Sequence, residues 1–119
     1  MNRIVLLALA LVPFGCHRVE LALPVDETLT LSEVPSGRAA AATCSLPPGS
    51  EQHSRFLQWL ESHRNGWSQS PATYVPGLRI KGTGFEVNVL PEIVVIIYSE
   101  GQYVATVIEG DELTLKCER

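Results

Sequence analysis

The 119-residue sequence predicts an α+β domain of two layers, in which one amphipathic helix packs on a four- or five-stranded antiparallel meander sheet. Three observations favour this fold class. The run from Ile93 to Tyr98 is six consecutive apolar residues, five of them β-branched, as in a buried strand. Residues 51–65 carry apolar side chains at helical spacing. The strand-like runs that follow are separated by breaks too short for a crossover, so neighbouring strands must run antiparallel.

The first sixteen residues have the pattern of a bacterial export leader. A short basic segment precedes the apolar stretch 4–14, which is too short to span a bilayer but typical of a signal peptide. The dipeptide that ends in Cys16 resembles the bacterial lipobox, with Pro13 and Phe14 in place of the usual leucine and small residue. The resemblance implies a signal peptide over 1–15 and lipidation of Cys16. The alternative is a secreted or soluble periplasmic protein with a spare thiol.

The three cysteines, Cys16, Cys44 and Cys117, are an odd number. If Cys16 carries lipid, the other two form an even pair in an exported and therefore oxidising setting. We expect a disulfide between them. It would close the domain that we assign to residues 44–119, from just before the helix to the end of the last strand.

Residues 16–43 are interpreted as the lipidated cysteine and a flexible tether, which would span about 30 Å and hold the domain clear of a membrane. Apolar and polar residues alternate over 19–23 and 28–31, which leaves a second interpretation open. In it, segment 19–34 adds a strand to the sheet or covers its second face. His17 stands where an Asp retains enterobacterial lipoproteins in the inner membrane. By this resemblance, the periplasmic face of the outer membrane is the expected location.

A helix is predicted over residues 51–65, with Ser50 as N-cap and Gly66 as the stop. One stripe of the helix carries the side chains that would face the core: Phe56, Leu57, Trp59, Leu60 and His63. We interpret His63 as packed edge-on beside Trp59 rather than as a ligand or general base. Either role needs a partner, and the histidine ten residues earlier is about 15 Å away along a helix.

Five strand-like runs follow, over residues 78–81, 85–90, 93–98, 103–108 and 113–117. Apolar and polar residues alternate in the second and the last of them, which predicts one buried and one wet face. One helix can cover only one face of the resulting sheet. The other face must be covered by the 19–34 segment, by a second copy in a homodimer, or by a partner protein.

Charge and motifs exclude several function classes. Nine Lys+Arg against thirteen Asp+Glu give a net charge of −4, which argues against nucleic-acid binding. The string from Lys81 to Gly84 is interpreted as a hairpin turn rather than a phosphate loop, because no helix follows it. We find no catalytic arrangement and no metal-ligand spacing, and we expect no cofactor, no metal and no enzyme activity.

Acidic turns and loop aromatics are the candidate partner-binding residues. Acidic turns would attract a basic protein surface, and aromatic anchors often carry interface energy. The candidates are Glu100, Glu109, Asp111, Glu112, Trp67 and Tyr74. The alternatives without a binding role are solvated turns for the acidic residues and core packing for the tryptophan.

Five strings carry a wider resemblance: Phe56-Leu-Gln-Trp59-Leu60, Asn65-Gly66-Trp67, Tyr74-Val-Pro76, Phe85-Glu-Val-Asn88-Val and Tyr103-Val104. They are similar to small uncharacterised exported proteins of proteobacteria over roughly residues 50–108 and bring no established activity. In general form the chain also resembles periplasmic immunity lipoproteins, which protect a cell from a neighbour's envelope-targeting toxin.

The resemblance in architecture and location implies a lipid-anchored, periplasm-facing binding protein without catalysis. We expect an immunity or inhibitor protein that blocks a toxin or an envelope hydrolase by direct contact. Its attachments would be that protein partner and, through the lipid, a membrane. The alternative is a structural or accessory envelope lipoprotein that self-associates through the uncovered sheet face.

Overall fold

The computed structural model describes residues 17–34, 42–107 and 110–117. The predicted signal peptide, Cys16 and Glu109 lie outside the described residues. The described part contains one helix and seven strands: β1 Leu29–Ser32, β2 Thr43–Leu46, α1 Glu51–Ser62, β3 Ser68–Gln69, β4 Leu78–Gly82, β5 Phe85–Val89, β6 Ile93–Tyr98 and β7 Gly101–Thr106.

The strands form one antiparallel sheet in the order β2-β1-β4-β5-β6-β7-β3. The predicted meander is confirmed in β4 to β7, where each strand pairs with the next. The predicted number of four or five strands is wrong, because β1, β2 and β3 extend both edges of the meander. Residues Ile80, Val87, Ile96 and Tyr103 lie opposite one another across four strands, and all four belong to the core.

Segment 17–34 is part of the fold, so the tether interpretation of these residues is wrong and the added strand is correct. Leu29 and Leu31 of β1 are fully buried, and Leu31 lies opposite Ile80 on β4. Val19 is also fully buried. The physical reason is that the β-type alternation of this stretch supplies apolar side chains to the core side of the sheet, where burial stabilises the fold.

The helix begins and packs as predicted, but it ends earlier. The Ser50 hydroxyl accepts a hydrogen bond from the backbone N–H of His53 at 3.3 Å, and Phe56 and Leu60 are fully buried. The last helical residue is Ser62, not residue 65. Gly66 has a φ of +88°, a conformation that glycine adopts without strain.

The predicted strand over 113–117 is not a strand. Residues 111–117, which we call the C-terminal strap, show the predicted alternation, because Leu113, Leu115 and Cys117 are buried and the residues between them are exposed. The strap pairs with side chains instead of a neighbouring strand. The side-chain amide of Gln52 donates to the carbonyl of Lys116 and accepts from its N–H, both at 2.8 Å.

Cys44 and Cys117 are bonded in the structure, with an S–S distance of 2.17 Å and a sequence separation of 73. The bond joins β2 to the end of the strap. In the chain-entropy model a loop of this length contributes about 4 kcal/mol, comparable to the whole stability of a small domain.

The second face of the sheet is partly covered by the loop 70–77, which none of the three sequence-based alternatives foresaw. The carboxamide of Asn88 accepts from the N–H of Gly77 at 2.6 Å and donates to the carbonyl of Val75 at 2.9 Å. Gln102 donates to the carbonyls of Ser70 and Ala72, each at 2.7 Å. Within the described ranges, no helix is both long and apolar enough to cross a membrane.

Candidate functional site

The C-terminal end of α1, the first residue of the strap and the ends of β6 and β7 nearest to it surround a cleft of about 240 Å³. We call it the helix-end cleft. Its polar rim carries His63, Asn65, Thr106 and Asp111. Its apolar wall consists of Trp59, Trp67, Val94 and Ala105.

His63 is held at the mouth of this cleft by its neighbour one turn back. Its ring stacks on the ring of Trp59, with centroids 4.2 Å apart and an interplanar angle of 13°. Helical spacing brings residues four apart onto one face, so the sequence predicted this contact. The predicted edge-on packing is wrong, because the two rings lie face to face. Trp59 in turn meets Trp67 edge-on at 6.4 Å, which joins the stacked pair to the core.

Both ring nitrogens of His63 face oxygen acceptors. Nδ1 lies 2.7 Å from the carbonyl of Trp59, and Nε2 lies 3.3 Å from a carboxylate oxygen of Asp111. A ring that satisfies both acceptors donates from both nitrogens and keeps no lone pair for accepting a proton. Both nitrogens of His63 are thus within hydrogen-bond distance of groups that belong to the fold, and which nitrogen carries a proton depends on the tautomer.

Asp111 therefore brings the strap and the helix together. Its carbonyl accepts from the indole Nε1 of Trp59 at 2.9 Å, while its carboxylate faces His63. The side chain of Asp111 is 55% exposed and that of His63 is 28% exposed, so a partner can reach both. Of the predicted candidates, Trp67 and Asp111 meet at this cleft, although the sequence did not place them together.

Of the other acidic candidates, Glu100 lies far from Asp111, whereas Glu112 is its neighbour in the chain. Glu100 lies in the turn before β7, whereas Asp111 and Glu112 follow the other end of that strand. Six extended residues put more than about 15 Å between the two ends, so the structure does not bring Glu100 to the acidic strap. Glu112 is exposed, and its carboxylate accepts from the N–H of Gly110 at 3.1 Å.

Trp67 and Tyr74 differ from their prediction as contact residues. Trp67 is fully buried and donates its indole N–H to the carbonyl of His63, so it supports the cleft from inside and cannot be a contact residue on the surface. Tyr74 lies on the other side of the sheet, where its hydroxyl is 2.6 Å from that of Ser70. It lines a separate groove of about 450 Å³ with Arg79 and Glu86.

A third cluster was missed by the sequence interpretation. The ring of His17 stacks on Tyr103 at 3.9 Å and 5°, and its Nε2 lies 3.0 Å from the hydroxyl of Tyr98. That hydroxyl donates to the carboxylate of Glu100 at 3.1 Å. Burial raises the pKa of Tyr98, and the nearby negative charge of Glu100 raises it further, against a lowering by the N–H of Glu20. Two residues of this cluster, His17 and Tyr98, are 81 residues apart in sequence, so no local sequence pattern predicts the cluster.

No protein-family model, curated protein or solved structure matches this chain. In the part of the chain that the structure describes, no group of three or more His, Cys, Asp or Glu side chains is placed to hold a metal ion. The site therefore has to be judged on its own geometry.

Proposed function

We propose that this chain is a lipid-anchored, periplasm-facing binding protein, an immunity or inhibitor protein that blocks a toxin or an envelope hydrolase by direct contact. The outer membrane is the proposed location, through a lipid on Cys16. The observation that supports a binding role is the helix-end cleft, where an exposed carboxylate and a stacked aromatic pair surround an apolar wall.

This combination fits a protein contact. Interface energy concentrates where aromatic and charged groups are held rigidly around a pocket that a partner side chain can fill. Trp59 and His63 are fixed by stacking and Asp111 by two contacts to them, so little side-chain freedom is lost on binding. The exposed carboxylates of Asp111 and Glu112 would attract a basic surface and speed association.

The first test uses the full, oxidised chain to capture its partner from an envelope extract, followed by affinity measurements on the identified partner. Asp111→Asn keeps the shape of the side chain and removes its charge. We expect it to weaken binding about tenfold, equivalent to about 1.4 kcal/mol. Asp26→Asn is the matched control, because Asp26 is exposed in a turn remote in sequence from the cleft. Equal affinities for the two variants would contradict the proposal.

An enzyme is not proposed, although a histidine and a carboxylate do meet at a cleft. Both nitrogens of His63 face groups of the fold itself, whereas a general base needs a nitrogen directed at substrate. That this protein is not an enzyme stays a prediction.

The alternative function, a self-associating accessory lipoprotein of the envelope, is favoured by one observation. An apolar hollow of about 540 Å³ lies between Val34, Val75, Leu78 and Leu90, and the side chains of Val34 and Val75 are 49% and 71% exposed. If this hollow joins two copies, Val75→Glu abolishes a dimer that sedimentation detects in the unaltered protein. A monomer at all concentrations eliminates this alternative.

A further inference from the structure

A groove lies on the face of the sheet that points away from α1, and the proposed binding role does not use it. We call it the loop groove. The strands β4 to β7 form its floor, the loop 70–77 forms its wall, and its volume is about 450 Å³, within the ~300–1,000 Å³ of small-molecule sites. Its residues on β4 to β6 alternate with core residues of the same strands, so they point to the opposite side of the sheet.

Two side chains of opposite charge line this groove without being paired to each other. Arg79 lies opposite Asn88, two residues along β5 from Glu86, so Arg79 and Glu86 are diagonal neighbours with Cα atoms about 7–8 Å apart. Among the described residues, neither side chain forms an ion pair. Lys81 lies opposite Glu86 but does not line the groove. Both charges in the groove are therefore available to a bound molecule.

An apolar surface adjoins the two charges. Ile97 lies opposite Glu86 and is 43% exposed, although its strand has a neighbour on each side. The side chain of Tyr74 belongs to the wall that faces this floor. A ligand that covers Ile97 removes apolar surface from water, which favours binding.

The wall of the groove is fixed before any ligand binds. The side-chain amides of Asn88 and Gln102 hold four backbone groups of the loop 70–77 at distances of 2.6–2.9 Å. Within the loop, the hydroxyl of Tyr74 lies 2.6 Å from that of Ser70. A preformed wall lowers the ordering cost of binding a small ligand.

From this combination we infer that the loop groove binds a dipeptide with free ends, whose carboxylate pairs with Arg79, whose ammonium pairs with Glu86 and whose apolar side chain covers Ile97. A guanidinium matches a carboxylate with two parallel hydrogen bonds. Two extended residues span about 7 Å, the same length as the separation of the two charged positions. An inorganic ion would leave one of the two charges and the isoleucine without a contact. The site is separate from the helix-end cleft, so each can fail without the other.

The test titrates the full, oxidised, ¹⁵N-labelled chain with three probes: Ala-Leu, its N-acetyl derivative and its C-terminal amide. We expect Ala-Leu to shift the amide resonances of Arg79, Glu86 and Ile97. Each blocked probe loses one charge-assisted hydrogen-bonded contact and should bind at least about tenfold more weakly. The absence of shifts at millimolar Ala-Leu, shifts confined to other residues, or equal affinities for the three probes would overturn the inference.

Variants then assign each end of the dipeptide to its residue. Arg79→Gln should abolish the preference for Ala-Leu over its amide and keep the preference over the acetylated probe, whereas Glu86→Gln should do the reverse. Lys116→Gln is the matched control, because it removes an exposed positive charge from the strap, which contacts α1 on the other side of the sheet. It should leave both preferences intact. A variant that loses both preferences together, or neither, would show that the assigned contacts are wrong.

Discussion

Asn88 shows how one buried amide can hold a loop on a sheet. Only 8% of this residue is exposed, and its carboxamide serves both the N–H of Gly77 and the carbonyl of Val75. Gly77 is buried, so its N–H must be paired when it is taken from water. The side chain therefore substitutes for strand neighbours that the loop lacks.

Replacing this side chain should loosen the loop. We expect Asn88→Ala to lower the free energy of unfolding by about 1–3 kcal/mol, because the buried N–H of Gly77 loses its partner. Urea denaturation measures the change, and Gln58→Ala, which removes an exposed amide on α1, is the control. A loss for Asn88→Ala no larger than that for the control would show that water replaces the amide.

Tyr98 should make stability depend on alkaline pH. Burial, with help from Glu100, raises the pKa of its hydroxyl above the ordinary value of 10.0. A pKa raised in the folded state means that the folded protein binds the phenolic proton more tightly than the unfolded chain does. The stabilisation is therefore complete below pH 10 and is lost as the pH rises through the higher folded value.

The expected result is a fall in the free energy of unfolding above about pH 10 that is smaller in Tyr98→Phe. The measured quantity is the difference in the free energy of unfolding between the two proteins from pH 8 to pH 11, in which contributions common to both cancel. A constant difference across this range would mean that Tyr98 ionises equally in both states.

The contact between His63 and Asp111 contributes little to the stability of the fold. Both side chains are partly exposed, and exposed ion pairs contribute about 0–1 kcal/mol to stability. Asp111→Asn should therefore fold normally, which makes it suited to measuring partner affinity. Stability gives little reason for the geometry of the cleft, and this favours a role in binding.

Among the elements, the strap shows how a sequence can have a strand pattern without being a strand. Its buried and exposed residues alternate as a strand requires, but its backbone bonds go to side chains on α1 and on the segment after β1. Arg55 donates to the carbonyl of Thr114 at 3.4 Å, and Glu33 accepts from the N–H of Cys117 at 2.6 Å. The alternation of apolar and polar residues predicts which side chains are buried. It does not predict which groups form hydrogen bonds with the backbone.

Gln52 is the member of this set that imitates a neighbouring strand, since it both donates to and accepts from Lys116. We expect Gln52→Ala to speed amide exchange at Lys116 at least tenfold while the exchange of β5 and β6 is unchanged. The matched control is again Gln58→Ala, for which no change is expected. Unaltered exchange at Lys116 would mean that the disulfide and the two leucines hold the strap without Gln52.

Local sequence pattern does not identify the partner of a segment, and this explains which elements the sequence predicted. The four meander strands have five or six residues each and are separated by short turns, so both their existence and their pairing follow from local pattern. β3 has two residues and gives no periodic signal. β1 has four residues, and its pairing with β4 crosses about fifty residues of chain, which no local pattern reports. The helix-end cleft was likewise out of reach, because Trp59 and Asp111 are 52 residues apart.

In the whole molecule, the segment 17–34 and the strap both contact α1. Residue Glu27 offers its carbonyl to the buried ring of His53 at 2.8 Å, and the strap runs along α1 through Gln52. Among the described strands, β1 lies between β2 and β4, so the disulfide joins an edge strand that is connected to the meander through β1. The predicted domain boundary at residue 44 therefore cuts through the core of the fold.

A chain that begins at residue 44 should consequently fail to fold, even with the disulfide formed. It lacks Val19, Leu29 and Leu31, each fully buried, and such side chains contribute about 1.5–3 kcal/mol apiece. That sum approaches the 5–15 kcal/mol of a typical domain, and β2 would also lose its only neighbour among the described strands. A chain that begins at His17 retains all of these contacts.

The comparison between residues 17–119 and 44–119, both oxidised, decides this point. We expect dispersed amide resonances and one cooperative urea transition for the longer chain, and collapsed resonances without a transition for the shorter one. If the shorter chain unfolds cooperatively, the meander and helix are sufficient, and segment 17–34 is an attached flap rather than part of the core.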